Sequence, residues 1–395
     1  MNLTDADTIA DLRNMARRRL PRAVFDFIDG AADDELTLAW NTGDLDTLAW
    51  RPRMLVDVAS CERSARIMGA ASALPLIVGP TGLAALTWAQ ADIALAQAAH
   101  GAGVPFTIST SSSVRMEEIR HGVPDARLWF QVYLYKDREL VRSLISRARN
   151  IGCEALVITV DVPVLGRRLR DRRNRFTVPL RPNLRLLLDL VRCPRWSAHL
   201  MKYGVPRMQN FVDGRRSASV ASLAALMTSN MDASVTWDAL RRLRELWPGK
   251  LVLKGLLHEA DVLRAVQYGI DAIAVSNHGG RQLDGALSAL QALPPIVAAV
   301  AGRAEIFLDG GIRRGADIAK ACALGATAVM TGRATLYGVG AAGRPGADRA
   351  LAILADELER CLALLGCPTL GELSPEYLTP RIGRSGTGIN LPWKL

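Results

Sequence analysis

Residues 318–333, "IAKACALGATAVMTGR", pass from an alanine-rich segment through one glycine into a short β-branched run and end on Thr-Gly-Arg. Alanine favours helix, glycine suits the left-handed residue that ends one, and a continuous apolar run suits a strand covered on both faces. The reading is helix, turn, buried strand. It recurs in residues 94–110, "ALAQAAHGAGVPFTIST", in 144–161, "LISRARNIGCEALVITVD", and in 263–277, "LRAVQYGIDAIAVSN". Adding "PLIVGPTG", "RLWFQVY", "KLVLKG" and "EIFLDGG" gives eight candidate strands beginning near residues 75, 104, 128, 155, 251, 272, 305 and 327. Seven of the connections have room for one helix and its turns. The repeat therefore predicts an α/β fold, a (β/α)8 TIM barrel, in preference to an open doubly wound sheet.

Around that repeat the 395 residues organise as a single domain. Residues 1–74 supply N-terminal helices expected to close the bottom and side of the barrel, with "TIADLRNMARRRLP" an amphipathic helix stopped by Pro21. The barrel spans 75–340 and includes a long insertion after strand 4, residues 163–249, far beyond ordinary loop length. Residues 341–395 form a C-terminal helix, "ADRALAILADELERCLALLG" capped by Gly366, and a tail.

Composition narrows the function classes. The hydrophobic residues, 49% of the chain, exclude wholesale disorder. The stretch "MNLTDADTIADLRNM" carries acids and no apolar run, so no signal or transit peptide is expected, and no apolar run of about 18 residues argues for a spanning helix. Cys61, Cys153, Cys193, Cys322, Cys361 and Cys367 are scattered, without a C-x-x-C pair. Neither a metal site nor a disulfide framework is expected, and a reducing cytoplasm fits best. The net charge is +10, but fourteen Arg and Lys against three Asp fall between Gly166 and Val220, so the basicity belongs to one segment.

In βα barrels the reactive groups lie where strands end. Those positions are Pro80-Thr81-Gly82, Ser109-Thr110, Gln131 and Tyr133, Thr159 and Asp161, Lys254, Ser276 and His278, Asp309-Gly310-Gly311, and Gly332-Arg333. Ordinary turn formers would not bring Lys, His, Asp, Tyr and Arg together there. "DGGIRRG" and "TGR" after the last two strands read as a phosphate cradle: glycines let backbone N–H groups approach an anion that Arg313 and Arg333 neutralise. A bare Gly-Gly is as often a plain turn, and the pairing on adjacent strands is what favours the cradle.

Five stretches carry a resemblance: "SNHGGRQLDG" (276–285), "FLDGGIRRGADIAKACALGA" (307–326), "WFQVYLYKDR" (129–138), "TVDVPVLGRRLRDRRNRF" (159–176) and "LPRAVFDFIDGAADDELTL" (20–38). Together they resemble the FMN-dependent family that oxidises L-2-hydroxy acids, which includes glycolate oxidase, lactate oxidase and mandelate dehydrogenase. "MDASVTWDALRRLRELWPGKLVLKGL", "GRATLYG" and "GCPTLGELSPEYL" are most similar to the mandelate dehydrogenase branch. The resemblance implies the barrel already argued, FMN as cofactor and a small 2-hydroxy acid as substrate. It makes His278 the base at the substrate α-carbon, Arg281 and Arg168 binders of the carboxylate, and Asp161 the partner that holds the His278 ring. Tyr133 would hydrogen-bond the substrate. Lys254 would sit at the flavin edge, Gln131, Thr159 and Ser276 would serve its ring, and Ser109 with Pro80, Thr81 and Gly82 would complete the cradle. Asp309, Gly310, Gly311, Arg313, Gly332 and Arg333 would hold the rest of the cofactor. The chemistry explains the set: oxidation removes the α-hydrogen and the hydroxyl proton, so a base must face the α-carbon while a cation pins the carboxylate.

Three positions depart from or refine the pattern. Phe27 stands where the family usually has tyrosine, which removes one hydrogen bond to the substrate carboxylate. Ser111 replaces a bulky tryptophan of glycolate oxidase and leaves room for a larger side chain. Gly82 matches the glycine of mandelate dehydrogenase, where oxidases typically have alanine, and favours a dehydrogenase over an oxidase that makes hydrogen peroxide; L-lactate is the alternative substrate. A non-redox FMN-dependent isomerase is the rival from another class, and it leaves the His278 and Arg281 pair without a purpose. The basic segment, "RPNLRLLLDLVRCPRWSAHLMKYGVPRM", interleaves arginine with leucine and tryptophan, as an interfacial membrane segment would. The resemblance implies attachment through about 180–215 to the inner face of the cell membrane, a quinone as electron acceptor, and a homotetramer. A lid or subunit contact with solvated arginines is the competing reading. Nucleic acid is not expected, because no binding motif accompanies the charge.

Overall fold

The computed structural model describes residues 2–176, 184–211 and 230–381. Eight parallel strands close into a barrel: β1 (Leu76–Val78), β2 (Phe106–Ile108), β3 (Leu128–Tyr133), β4 (Ala155–Thr159), β5 (Lys250–Leu256), β6 (Ala272–Ser276), β7 (Glu305–Asp309) and β8 (Ala328–Thr331). Each begins within two residues of its expected position. The largest offset is at β2, which opens at Phe106 because Pro105 has no N–H for the ladder.

Helices α1 (Ile9–Arg19), α2 (Arg22–Asp29) and α3 (Leu36–Asp46) precede the barrel. The crossovers are α4 (Ala91–Gly101), α5 (Met116–Gly122) and α6 (Arg138–Asn150); then come α7 (Leu169–Arg173), α8 (Leu184–Arg192), α9 (Pro194–Tyr203) and α10 (Trp237–Leu246) between β4 and β5. Next are α11 (Glu259–Gln267), α12 (Ala289–Val300) and α13 (Gly315–Ala323), and after β8 follow α14 (Arg333–Ala342) and α15 (Arg344–Leu365). Thr8 starts α1 with a reciprocal cap: its hydroxyl accepts from the Asp11 N–H at 3.1 Å while the Asp11 carboxylate accepts from the Thr8 N–H at 3.0 Å. Gly366, at φ 64°, ends α15.

Strand alternation separates two cores. Ile77, Trp129, Val157, Val252, Ala274, Phe307 and Met330 fill the barrel interior, with the Trp129 and Phe307 rings 5.8 Å apart. Leu156, Ile158, Leu253, Ile273 and Leu308 join the helices in the outer layer. The expectation that helices close the bottom is corrected here. A hairpin, Ala65–Ile67 paired with Ala70–Ser72, plugs it, and its Ile67 and Met68 join the interior cluster. Two side chains from a tight turn fit a space that a helix, about 10 Å across, would not enter. The N-terminal helices lie instead at the side, where α1 packs on α14, and at the mouth, where Phe27 and Ile28 of α2 line the cavity.

Within the insertion, α10 is the crossover helix of the βα repeat. Trp196 anchors α9 to the body by donating its indole N–H to the Leu86 carbonyl at 2.7 Å. Of the segment expected at a membrane, residues 180–183 and 212–215 lie outside the described residues, as does the tail from 382 onward.

Candidate active site

Residues two apart on a strand share a face, so the apolar layer inside the barrel dictates what stands above it. Above Trp129 comes Gln131, above Val157 Thr159, above Val252 Lys254, above Ala274 Ser276 and above Phe307 Asp309. One step further come Tyr133, Asp161 and His278. A ring of polar groups therefore crowns the core at the C-terminal ends of the strands. Over it opens a cavity of about 720 Å³, lined among others by Phe27, Pro80, Thr81, Gly82, Ser109, Ser111, Tyr133, Arg168, Lys254, His278, Arg281, Asp309, Gly310, Gly311, Arg313, Gly332 and Arg333. Gln131, Thr159 and Ser276 lie buried beneath it. The residues expected from sequence thus converge on one place.

The decapeptide 276–285 is fixed at nearly every position. Ser276 Oγ accepts from Lys254 Nζ at 2.9 Å and donates to Asp309 Oδ2 at 2.7 Å, while Lys254 Nζ lies 2.7 Å from the same carboxylate. Burial would lower the Lys254 pKa, but Asp309 and Asp161 outweigh it and raise the value, so the ammonium stays charged. His278 has φ 60°, a left-handed conformation costly for a residue with a Cβ and found where function holds a side chain in place. Its Nδ1 lies 2.9 Å from Asp161 Oδ1. Asp161 is buried, yet His278 and Lys254 overcome that penalty and hold its pKa below the ordinary carboxylate value. With Asp161 ionised, Nδ1 carries the proton and Nε2 is left as an acceptor.

Gly280, at φ 74°, passes against α3; a Cβ there would stand 2.7 Å from the Leu38 nitrogen. Arg281 spends Nη1 on the Phe27 and Gly30 carbonyls, both at 2.8 Å, and its other N–H groups have no hydrogen-bond partner among the described residues. Burial first, then Arg168 and Arg333, push its pKa down against the opposing pull of Asp171 and Tyr133. Gln282 Nε2 donates to the Asp161 and Val164 carbonyls at 3.1 and 2.9 Å and ties the loop after β4 to the loop after β6. Asp284 accepts from the Thr37 N–H at 2.9 Å at the start of α3.

Phe27 stacks on Phe176 with ring centroids 4.9 Å apart, and the guanidinium carbons of Arg281 and Arg168 lie 5.3 and 5.8 Å from its ring centre. At this position two cations meet an aromatic face. Tyr133 stacks beside His278 at 6.4 Å, and burial first, then Asp161, pushes its phenol up to about 12, so it remains a donor. Gly82 admits little: a Cβ would meet Ser111 Cβ at 3.0 Å. Arg333 donates to the Ile28, Gly279 and Gly30 carbonyls at 3.1, 2.9 and 2.8 Å, bracing α2 against the His278 turn while also lining the cavity. Arg167, beside Arg168, pairs with Asp33 at 2.7 Å.

Sequence reasoning missed several lining residues. Phe176 and Asp171 lie inside the quoted stretch 159–176, Met208 closes the basic segment and Met231 opens "MDASVTWDALRRLRELWPGKLVLKGL", but nothing in their spacing marks them as lining a site. Burial first, against the pull of Arg168 and Arg281, raises the Asp171 pKa.

The residues present suit FMN. Thr110 N–H donates to Gln131 Oε1 at 3.2 Å, which fixes the amide and leaves the buried Nε2 without a partner among the described residues; Thr159 Oγ1 is likewise unpartnered. The Lys254 ammonium stands beside them, and Gly310 (φ 134°) and Gly311 (φ 82°) open the backbone near Arg313. Among the described residues no group of three or more His, Cys, Asp or Glu is placed to hold a metal ion.

The chain is 43% identical over 370 residues to (S)-mandelate dehydrogenase of Pseudomonas putida, covering 94% of this chain and 93% of that protein. It is 39% identical over 371 residues to an L-lactate dehydrogenase of Haemophilus influenzae, covering 93% and 97%. A crystal structure described as the monotopic membrane protein (S)-mandelate dehydrogenase superposes with TM-score 0.92 at 42% identity, over 95% of this chain and 100% of that one. Residues 16–380 match the family described as FMN-dependent dehydrogenase. With that match spanning the barrel and a site whose unpartnered polar atoms suit the cofactor, the chain belongs to the FMN-dependent dehydrogenase family.

Proposed function

We propose that this protein oxidises (S)-mandelate, or a similarly bulky L-2-hydroxy acid, to the 2-oxo acid. The observation that carries the reading is the single cavity in which the His278–Asp161 pair faces the cations Arg168 and Arg281. Arg281 and Arg168 bind the carboxylate and orient the α-carbon toward His278 Nε2, which takes a proton; Asp161 stabilises the imidazolium that forms. Tyr133 hydrogen-bonds the substrate. FMN, when bound, would accept the two electrons and the second proton released. Lys254, buried and charged, offers a fixed positive charge at the position proposed for the flavin edge. The Phe27–Phe176 stack and the small Ser111 leave an apolar space suited to an aryl substituent. L-lactate is the second reading, supported by the relative of that activity.

Electrons pass, in this proposal, to a membrane quinone or another carrier. Gly82 supports a dehydrogenase over an oxidase. Peripheral attachment is supported by α8 and α9, where Leu188, Val191, Met201 and Tyr203 are 51%, 80%, 81% and 54% exposed, and by the membrane relative. No helix among the described residues is long and apolar enough to cross a membrane. The inner face of the cell membrane and a homotetramer complete the proposal; Leu36 and Trp40 of α3 and the adjoining Leu283 and Leu287 are exposed apolar side chains suited to a subunit contact.

The test compares turnover of (S)-mandelate and L-lactate with an artificial acceptor and with oxygen alone. Preference for mandelate with slow oxygen uptake supports the proposal; rapid peroxide formation would make the protein an oxidase, and preference for lactate would change the substrate.

A further inference from the structure

The His278 turn has three consecutive left-handed residues, His278, Gly279 and Gly280 at φ 60°, 65° and 74°. Such a turn persists only when its surroundings over-determine it. Asn277 supplies the local clamp: its Oδ1 accepts from the Gly280 N–H at 3.0 Å, and its Nδ2 donates to the Leu287 carbonyl at 2.9 Å. The clamp is itself clamped. Asn41 of α3, 236 residues away, makes a reciprocal amide pair with Asn277, Nδ2 to Oδ1 and Oδ1 to Nδ2, both at 2.8 Å. Asn41 Oδ1 also accepts from the Ala289 N–H at 3.2 Å. The two side chains are 2% and 5% exposed.

This network has one self-consistent orientation. Gly280 and Ala289 each present a backbone donor, so Asn277 Oδ1 and Asn41 Oδ1 must be where they are, and the amides can then pair only as observed. Rotating Asn41 by half a turn would set its oxygen against Asn277 Oδ1 and its nitrogen against the Ala289 N–H. On its other side Asn41 backs the glycine turn after β7: its carbonyl oxygen lies 2.0 Å from where a Gly311 Cβ would stand. Asn41 is wedged between the two loops that build the site, and it touches neither the cavity nor the reacting atoms.

We propose that Asn41 is a positioning residue for the reaction: by fixing the Asn277 amide it holds the left-handed turn that aims His278 Nε2 into the cavity. The inference rests on the reading of His278 as the base. Displacing a reacting group by about 1 Å costs on the order of 10²-fold in rate. Asn41→Asp keeps the shape but places a carboxylate oxygen against Asn277 Oδ1. Once protonated, that carboxyl donates to Asn277 Oδ1 again and restores the pair.

The experiment measures anaerobic flavin reduction by (S)-mandelate in the FMN-loaded enzyme at pH 8 and pH 5.5, for the parent, Asn41→Asp, Asn41→Ala, His278→Ala and the Asn41→Asp/His278→Ala double variant, with far-UV circular dichroism confirming the fold. The expected result is a loss of about 10²-fold for both single Asn41 variants at pH 8. The ratio to the parent should recover about tenfold or more at pH 5.5 for Asn41→Asp and not for Asn41→Ala, following protonation of the new carboxyl. In the His278→Ala background, Asn41→Asp should add less than about threefold, since it acts through that side chain. Reduction within about threefold of the parent at pH 8, no recovery on acidification, or a full further loss in the His278→Ala background overturns the proposal. If His278→Ala alone reduces as fast as the parent, the base assignment fails, whatever the Asn41 variants do. Should Asn41→Asp fail to fold, Asn277→Asp carries the same test from the other side of the pair.

Discussion

Replacing Phe27 by tyrosine adds one hydroxyl to a ring that already lies between Phe176, Arg168 and Arg281. A hydrogen bond to a charged group contributes roughly 1.5–3 kcal/mol, so Phe27→Tyr should tighten the dissociation constant for mandelate by about tenfold or more, read by titrating the anaerobic enzyme. Unchanged affinity would mean that the two guanidinium contacts already replace the hydroxyl in full. Asp161→Asn preserves the shape beside His278 but removes the charge that steadies an imidazolium. General acid–base catalysis contributes about 10²–10⁴-fold, and flavin reduction should fall into that range with substrate affinity nearly intact. A loss confined to affinity would place Asp161 in binding instead. Asp161 was legible in sequence because it follows a strand end inside a long ordered stretch, and Phe27 only because that stretch of α2 carries the family resemblance. Asn41 was not: an asparagine in a helix carries no mark of a partner 236 residues on.

α4 packs a buried acid, Asp92, against the turn that carries Ser111, with Asp92 Oδ2 accepting from the Ser113 N–H at 3.2 Å. Burial pushes its pKa up to about 6, against the opposing pull of the Ser112 and Ser113 hydrogen bonds. The native state therefore holds an extra proton between about pH 4 and 6, and its stability declines as pH rises through that window. Asp92→Asn keeps an acceptor without the charge. Its stability relative to the parent should improve from pH 4 to pH 7, by up to roughly 3 kcal/mol, in denaturant titrations at the two pH values; an equal difference at both would contradict the assignment. The strands were legible for a plain reason, since helix, glycine and β-branched run repeat with little interruption. The hairpin at the bottom was not. Its turn is Met68-Gly69 at φ 55° and 83°, and methionine is an unusual occupant of a position where asparagine or aspartate gives the signal. Nor did the pattern of the N-terminal helices itself announce that α2 reaches the mouth; the family resemblance alone set Phe27 beside the substrate carboxylate with Arg281.

Taken whole, the molecule is a barrel whose chemistry faces one end, with the helix pair α8 and α9 anchored to it through Trp196. Replacing Leu188, Val191 and Met201 together by serine should release the protein from vesicles while leaving flavin reduction unchanged, because none of the three lines the cavity. Persistent co-sedimentation would move the attachment elsewhere. The barrel and its strand-end groups followed from the chain's periodicity, and Phe27, Ser111, Arg168 and Arg281 from the family resemblance; the role of the basic segment followed from neither, since arginines alternating with leucines suit a membrane face and a subunit contact equally well. The central claim is that His278, steadied by Asp161, serves a 2-hydroxy acid held by Arg168 and Arg281 over FMN. The most direct measurement mixes the FMN-loaded protein anaerobically with (S)-mandelate and records the visible spectrum, for the parent and for His278→Ala. Rapid bleaching of the flavin band is expected in the parent, and a rate lower by at least about 10²-fold in the variant. Equal bleaching in both would remove the base, and a parent that stays yellow with mandelate and with L-lactate would contradict the account itself.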